Sequence, residues 1–331
     1  MRSYFIIFKV IFFSAVIIIT ACSGYNPKKS QIEQVKETNY IRFSTTKKVN
    51  YILYYLEVYK ADSLSAIGKN VEAFEKLDKL FKNYEPLNEI NYEEYKNYLK
   101  LSYLTNNKSN IKENTIFFIK KYGYPYRRAK NDSIMSLIFK EYGIDENFVN
   151  IENNKLLKKI NVGLRDTLVN IYKKDQYYRV NVDNFEKIDS IDKVHEKLLV
   201  KIFKKYGVPD WKLLGSMYTN SEDYSYANNF HIPLLHTRDS IRLNYFIPLL
   251  KRAVMQGKFS PTNYANMIDQ YYLYKDKKQL YGSYLGPDYN IAPVQNEKKL
   301  DSLRKSIGLP TVSNYLWKNK GYINKYKKQN N

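Results

Sequence analysis

The chain of 331 residues predicts a mainly α protein, with N-terminal helix pairs packed on a helical C-terminal domain. Three observations predict this class. Apolar residues recur at spacings of three and four through most of the chain, the period of a helix that buries one face. Lysine-rich segments run into glycine three times, "KKYG" at 120–123, "KEYG" at 140–143 and "KKYG" at 204–207. Helices close this way, because glycine takes the left-handed conformation and lysine in the last turn complements the dipole. From about 156 onward the alternation that marks strands is almost missing.

The first element is an apolar run, "VIFFSAVIII", that follows Arg2 and Lys9 and ends in small residues, which is the pattern of a secretory signal over 1–21. A spanning helix needs about 18 to 20 uninterrupted apolar residues, and Lys9 interrupts this stretch. The order Ile19, Thr20, Ala21, Cys22 behind that run resembles the lipobox of bacterial lipoproteins. The resemblance implies cleavage before Cys22 and acylation, by palmitate or a similar chain, of its sulfur and of the new amine. Each buried methylene contributes about 0.8 kcal/mol, so two or more chains anchor a protein stably. Ser23 stands where aspartate would signal inner-membrane retention, so the expected address is the outer membrane, facing the periplasm. Cys22 is the only cysteine. Without disulfides, the core alone must hold the fold.

A polar tether is expected over 22–47, followed by a helical-repeat-like region over 48–155. Ile52, Leu53, Leu56, Tyr59, Leu64 and Ile67 recur at near-helical spacing. "NVEAFEKLDKLFKNYEP" sets Val71, Phe74, Leu77, Phe81 and Tyr84 on one face, with Pro86 after the stop. "NEINYEEYKNYLKLSYLTNN" forms a further helix, and "NIKENTIFFIKKYGYP" another, with Ile111, Phe117 and Phe118 apolar and Pro125 beyond its end. Residues 48–125 therefore read as two antiparallel pairs that loosely resemble tetratricopeptide repeats. Two pairs fall short of the three repeats an independent solenoid needs, so the segment is expected to pack on the C-terminal half of the chain.

The helical domain expected over 156–315 opens with "KLLKKINVGLRDTLVNIYKKDQYYR", one helix burying Leu164, Leu168, Ile171 and Tyr172. "DSIDKVHEKLLVKIFKKYG" offers Asp189 or Ser190 as cap and Ile191, Val194, Leu198 and Ile202 as its buried face. "VPDWKLLG" reads as a loop. "SPTNYANMIDQYYLYKDKK" has serine at the cap and proline at the first helical position, a strong start signal. A basic tail at 316–331 is expected to be solvated and mobile.

Five segments in this half, "DQYYR" (175–179), "PLLHTRDS" (233–240), "FIPLLKRAVMQGKFSPTNYANMIDQ" (246–270), "QLYGS" (279–283) and "LDSLRKSIGLP" (300–310), resemble an uncharacterised bacterial domain of unknown function. The likeness covers about 155–315 and implies a mainly helical domain, with no reaction attached. Carried over by position, its polar markers are Asp175, Gln176, Arg179, His236, Asp269, Gln279, Tyr281 and Gly282. The family's arginine after the second aspartate is Gln270 here, which lacks both charge and fork geometry.

Those residue types permit chemistry. A histidine oriented by a carboxylate, with an arginine to stabilise negative charge, is the minimal outfit of a hydrolase or transferase. His236 is then the base, Asp175 or Asp269 the orienter, Arg179 the electrophile and Gln279 a substrate-positioning amide. The same residues equally suit a helix salt bridge at i and i+4, a turn and a polar network between helices. A lipid-anchored binding or scaffold protein is the favoured expectation, with an envelope hydrolase or transferase as the alternative.

No metal and no cofactor are expected. Only His195, His231 and His236 exist, zinc spacings are missing, and "GKNVEAFEK" lacks the phosphate-loop pattern. The formal charge is +21; without residues 1–21 there remain 52 basic against 33 acidic residues, or +19. Such a field favours an anionic polymer or an envelope protein as partner beside the membrane itself. Nucleic acid is not expected at an exported address.

Overall fold

Helix α1 (Ile52–Ala66) turns through Gly68 into α2 (Asn70–Asn83), and α3 (Glu94–Leu104) and α4 (Ile111–Tyr122) come next, each packed on its predecessor. This computed structural model describes residues 50–87, 93–181, 185–216, 218–219, 229–286 and 290–329, all within one compact unit, Asn39–Asn331. The apolar leader, Cys22 and the tether at 22–47 lie outside the described residues.

The described chain is mainly α, and its only strand-like pairings are two isolated bridges, Gln279 with Val294 and Leu285 with Ile291. After α5 (Tyr126–Lys130) come α6 (Ser133–Glu141) and α7 (Glu146–Leu157), started by Asp132 and Asp145, whose carboxylates accept the first free backbone N–H groups. Helix α3 packs on α6 and α4 on α7, a departure from a uniform stack of pairs. The three glycine stops are real: Gly123, Gly143 and Gly207 all have positive φ and follow α4, α6 and α9 (Phe185–Tyr206).

Several expected details are corrected. The helix read through 155–179 is broken at 158–161, where the Asn161 side chain accepts from Leu164 N (2.9 Å) and starts α8 (Val162–Asn181). Its buried residues Leu164, Leu168, Ile171 and Tyr172 are as expected. Asp189 and Ser190 are not caps but lie inside α9. That helix buries His195, Glu196, Leu199, Ile202 and Phe203, while Val194 and Leu198 are 49% and 39% exposed. In α1 the buried face is Tyr54, Tyr55, Val58 and Ala61, with Leu53 62% exposed. "VPDWKLLG" contains a short helix, α10 (Trp211–Leu214), because the Asp210 carboxylate accepts from Lys212 N and Leu213 N.

Beyond α11 (His231–Leu234), the helical run Asp239–Met255 comprises α12 (Asp239–Ile241), a π-helical turn (Arg242–Phe246) and α13 (Ile247–Met255). Helix α14 (Pro261–Leu273) starts at Ser260 as expected, although the serine hydroxyl makes no cap bond. After α15 (Leu300–Ser306), the basic tail through 329 belongs to a helix, α16 (Val312–Gln329). It is fastened to α1 by Lys318 with Asp62 (2.5 Å) and by Asn314 Nδ2 donating to Ser63 Oγ (2.6 Å). No helix among the described residues is long and apolar enough to cross a membrane.

One core runs from α1 to Leu309, and much of it is tyrosine. A buried phenol needs a partner for its hydroxyl. Tyr55 donates to Val254 O (2.9 Å), Tyr122 to Pro86 O (2.5 Å), and Tyr54 accepts from Leu87 N (2.9 Å). Tyr51 N also donates to Met255 O (2.9 Å). The Tyr55 and Tyr51 bonds tie α1 and the residue before it to α13, and the 155/156 division falls inside α7.

Candidate functional site

Helices α8, α9 and α11 pack against one another, and their contact gathers the first group of polar markers. Asp175 and Arg179 share one face of α8, and Asp192 faces them from α9. His236 arrives on the turn after α11. Asp175 Oδ1 lies 2.8 Å from His236 Nδ1 and accepts from Arg179 Nη2 (3.3 Å), while its Oδ2 accepts from Gln176 Nε2 (2.8 Å). Arg179 Nη2 also donates to Asp192 Oδ1 (2.5 Å), and its Nε stands 3.0 Å from His236 Nδ1.

Burial alone would raise the Asp175 pKa, but the hydrogen bond and charge of His236, the Arg179 charge and the Gln176 amide bring it below the ordinary value. For Arg179, burial is outweighed by Asp175 and Asp192, which raise its pKa. His195, one turn from Asp192, is pushed down by burial against the pull of Asp175 and Asp192, and its Nδ1 is buried without a hydrogen-bond partner among the described residues.

The His236 turn is clamped from both sides. Arg242, from the π-helical turn, donates to Leu235 O and to Thr237 O (3.1 Å). Glu196 accepts from Arg238 N (2.8 Å), Nε (2.9 Å) and Nη2 (2.5 Å). Thr237 Oγ1 donates to Leu234 O (2.8 Å). The imidazole is 17% exposed, and Nε2 has no hydrogen-bond partner among the described residues.

Asp175, Asp192 and His236 offer ligand atoms within 4.8 Å of one another, a three-donor set of the kind divalent metals use. The Arg179 guanidinium donates to both carboxylates and its Nε lies 3.0 Å from His236 Nδ1, so a cationic side chain already balances the carboxylates there.

The second group of markers is elsewhere and serves the backbone. Fully buried Asp269, on α14, accepts from Leu280 N (2.8 Å), Tyr281 N (2.9 Å) and Ser283 N (2.9 Å). Gln279 donates through Nε2 to Tyr284 O (3.0 Å) and Ala292 O (2.8 Å), and its Oε1 accepts from Tyr284 N (2.8 Å). The Tyr281 ring is buried beside Tyr264, and its carbonyl accepts from Arg304 Nη1 (2.8 Å). Asp269, Gln279 and Tyr281 thus hold the segment after α14, and neither Asp269 nor Gln279 bonds to His236. Gln270 accepts from Arg242 Nη1 (3.1 Å), so a guanidinium from the π-helical turn sits beside the position where the resemblance puts arginine.

Sequence reasoning missed Asp192, Glu196 and Arg242 at this site. The spacing was visible: Asp192, His195 and Glu196 fall at i, i+3 and i+4, and Arg238 and Arg242 at i and i+4. No protein-family model, curated protein or solved structure matches the chain.

Proposed function

We propose that this chain is a lipid-anchored lipoprotein of the cell envelope, facing the periplasm from the outer membrane, with its helical body acting as a binding or scaffold module. The anchor reading rests on Ile19, Thr20, Ala21 and Cys22 behind the apolar leader. The body reading rests on one observation: the guanidinium of Arg179, the cation bonded to His236, is committed to Asp175 and Asp192. A group that stabilises charge developing on a substrate must face the substrate. With Asp269 and Gln279 serving backbone groups, the polar markers do not assemble one catalytic constellation. An envelope protein or anionic polymer suits the +19 charge, and the resemblance to a domain of unknown function fits this reading without adding a reaction.

Metabolic labelling with palmitate tests the anchor: the wild type carries label and Cys22→Ala carries none. Label retained by the variant would end the lipoprotein reading.

A hydrolase or transferase is the second reading, favoured by His236 Nε2, which has no partner among the described residues while Asp175 holds the opposite ring nitrogen as an orienter should. Ester, phosphoester, peptide and glycoside probes compare wild type with His236→Gln. No difference is expected. Turnover that disappears in the variant at unchanged melting temperature would replace the binding reading with the enzyme.

A further inference from the structure

Away from His236, a groove of about 370 Å³ opens between α4, the α7–α8 connection and α10. Its volume is within the range of about 300–1,000 Å³ usual for small-molecule sites. The apolar part includes Phe117 and the Trp211 indole, which is 7% exposed and has Tyr122 packed 5.1 Å away. Four ammonium groups surround it, on Lys120, Lys121, Lys159 and Lys212.

The charges there are unequal. Glu85 lies between Lys121 and Lys212, with one carboxylate oxygen on each. Burial would raise the Glu85 pKa, but those two lysines bring it below the ordinary value, so it is ionised at neutral pH. Lys120 and Lys159 are exposed and have no acidic partner among the described residues. Among the described residues, one carboxylate faces four ammonium groups around an apolar floor, which makes the groove net positive.

We infer that this groove binds an amphiphilic anion, a molecule with one carboxylate or phosphate head and a hydrocarbon body. The head meets Lys120 and Lys159, and the body covers Phe117 and the edge of Trp211. An inorganic anion leaves the apolar floor wet, and a neutral hydrocarbon leaves the ammonium pair unmatched. The inference names a ligand class for the binding reading above and rests on it.

The chain has two tryptophans, Trp211 and Trp317. Trp317 is exposed on α16, so Trp317→Phe leaves Trp211 emission as the reporter of the groove. In that background, octyl phosphate is titrated, with octanol and inorganic phosphate as single-feature controls. A saturable change is expected with octyl phosphate, with each control at least about tenfold weaker. Adding Lys120→Glu and Lys159→Glu, both on exposed side chains, weakens octyl phosphate about tenfold or more, and high salt does the same to the unmodified groove. Glu85→Gln removes the carboxylate that Lys121 and Lys212 share and tightens binding, a direction that general destabilisation does not produce.

No saturable change overturns the inference, as does equal binding of octanol or of phosphate, or indifference to the lysine reversals. The outcomes stay separable from the parent reading. A silent Trp211 with no His236-dependent turnover refutes the groove assignment alone, whereas turnover that needs His236 refutes the binding reading itself.

Discussion

Asp175 carries more of the His236 site than its single charge suggests, because it is buried, accepts from Arg179 and Gln176, and lies 2.8 Å from His236 Nδ1. Asp175→Asn removes the charge and turns one acceptor into a donor facing donors. The expected cost is about 3 kcal/mol at neutral pH, the scale of a buried pair broken from one side. The pH dependence has a definite sign. A depressed carboxylate pKa contributes stability that is complete above the ordinary aspartate value of about 3.9 and is lost as pH falls through the lower folded-state value. Denaturant unfolding followed from neutral to acid pH should show a gap between wild type and Asp175→Asn that narrows in acid. A gap independent of pH would mean that the carboxylate is not ionised against its partners.

Helix α9 tests how a buried face is chosen. Its leucines at 198 and 199 are chemically identical, and both continue an apolar pattern. Leu199 is fully buried and Leu198 is 39% exposed, because the helix is rotated so that Glu196 can reach Arg238 and His195 lies inward. Leu199→Ala should therefore cost about 3 kcal/mol through lost contacts and a cavity. Leu198→Ala should cost less than about 1 kcal/mol. Equal losses in thermal or denaturant unfolding would show that α9 presents a different face. Helix α1 behaves the same way: its inward face includes Tyr54 and Tyr55, and its exposed Leu53 is the more hydrophobic side chain.

At the scale of the molecule, the first helices and the last are joined by specific bonds. Tyr51 and Tyr55 reach the end of α13 and the residues after it, and α16 returns to Asp62 and Ser63 on α1. Removing residues 48–125 strands the Val254 and Phe259 carbonyls that Tyr55 satisfies. A chain of residues 126–331 should lack the near-ultraviolet dichroism of packed aromatic side chains, and the intact chain should unfold in one transition. A cooperatively folded fragment would establish a separate C-terminal domain.

By itself the sequence determined the helical class, the glycine stops at 123, 143 and 207, the start of α14 at Ser260 and Pro261, and the buried side of α8. Each depends on residues within a few positions of one another, where helical period and backbone conformation act directly. It also picked out Asp175, Gln176, Arg179 and His236, which do meet. Only the tertiary structure decided that Asp269, Gln279 and Tyr281 belong to a different network, that Asp192, Glu196 and Arg242 complete the His236 site, and that Lys318 of the basic tail pairs with Asp62 on α1. Those outcomes depend on which distant group satisfies a buried charge or hydroxyl. A local pattern does not rank a tyrosine against a leucine or bring a lysine inward, yet either packs inward once a carbonyl or a carboxylate from another helix meets it.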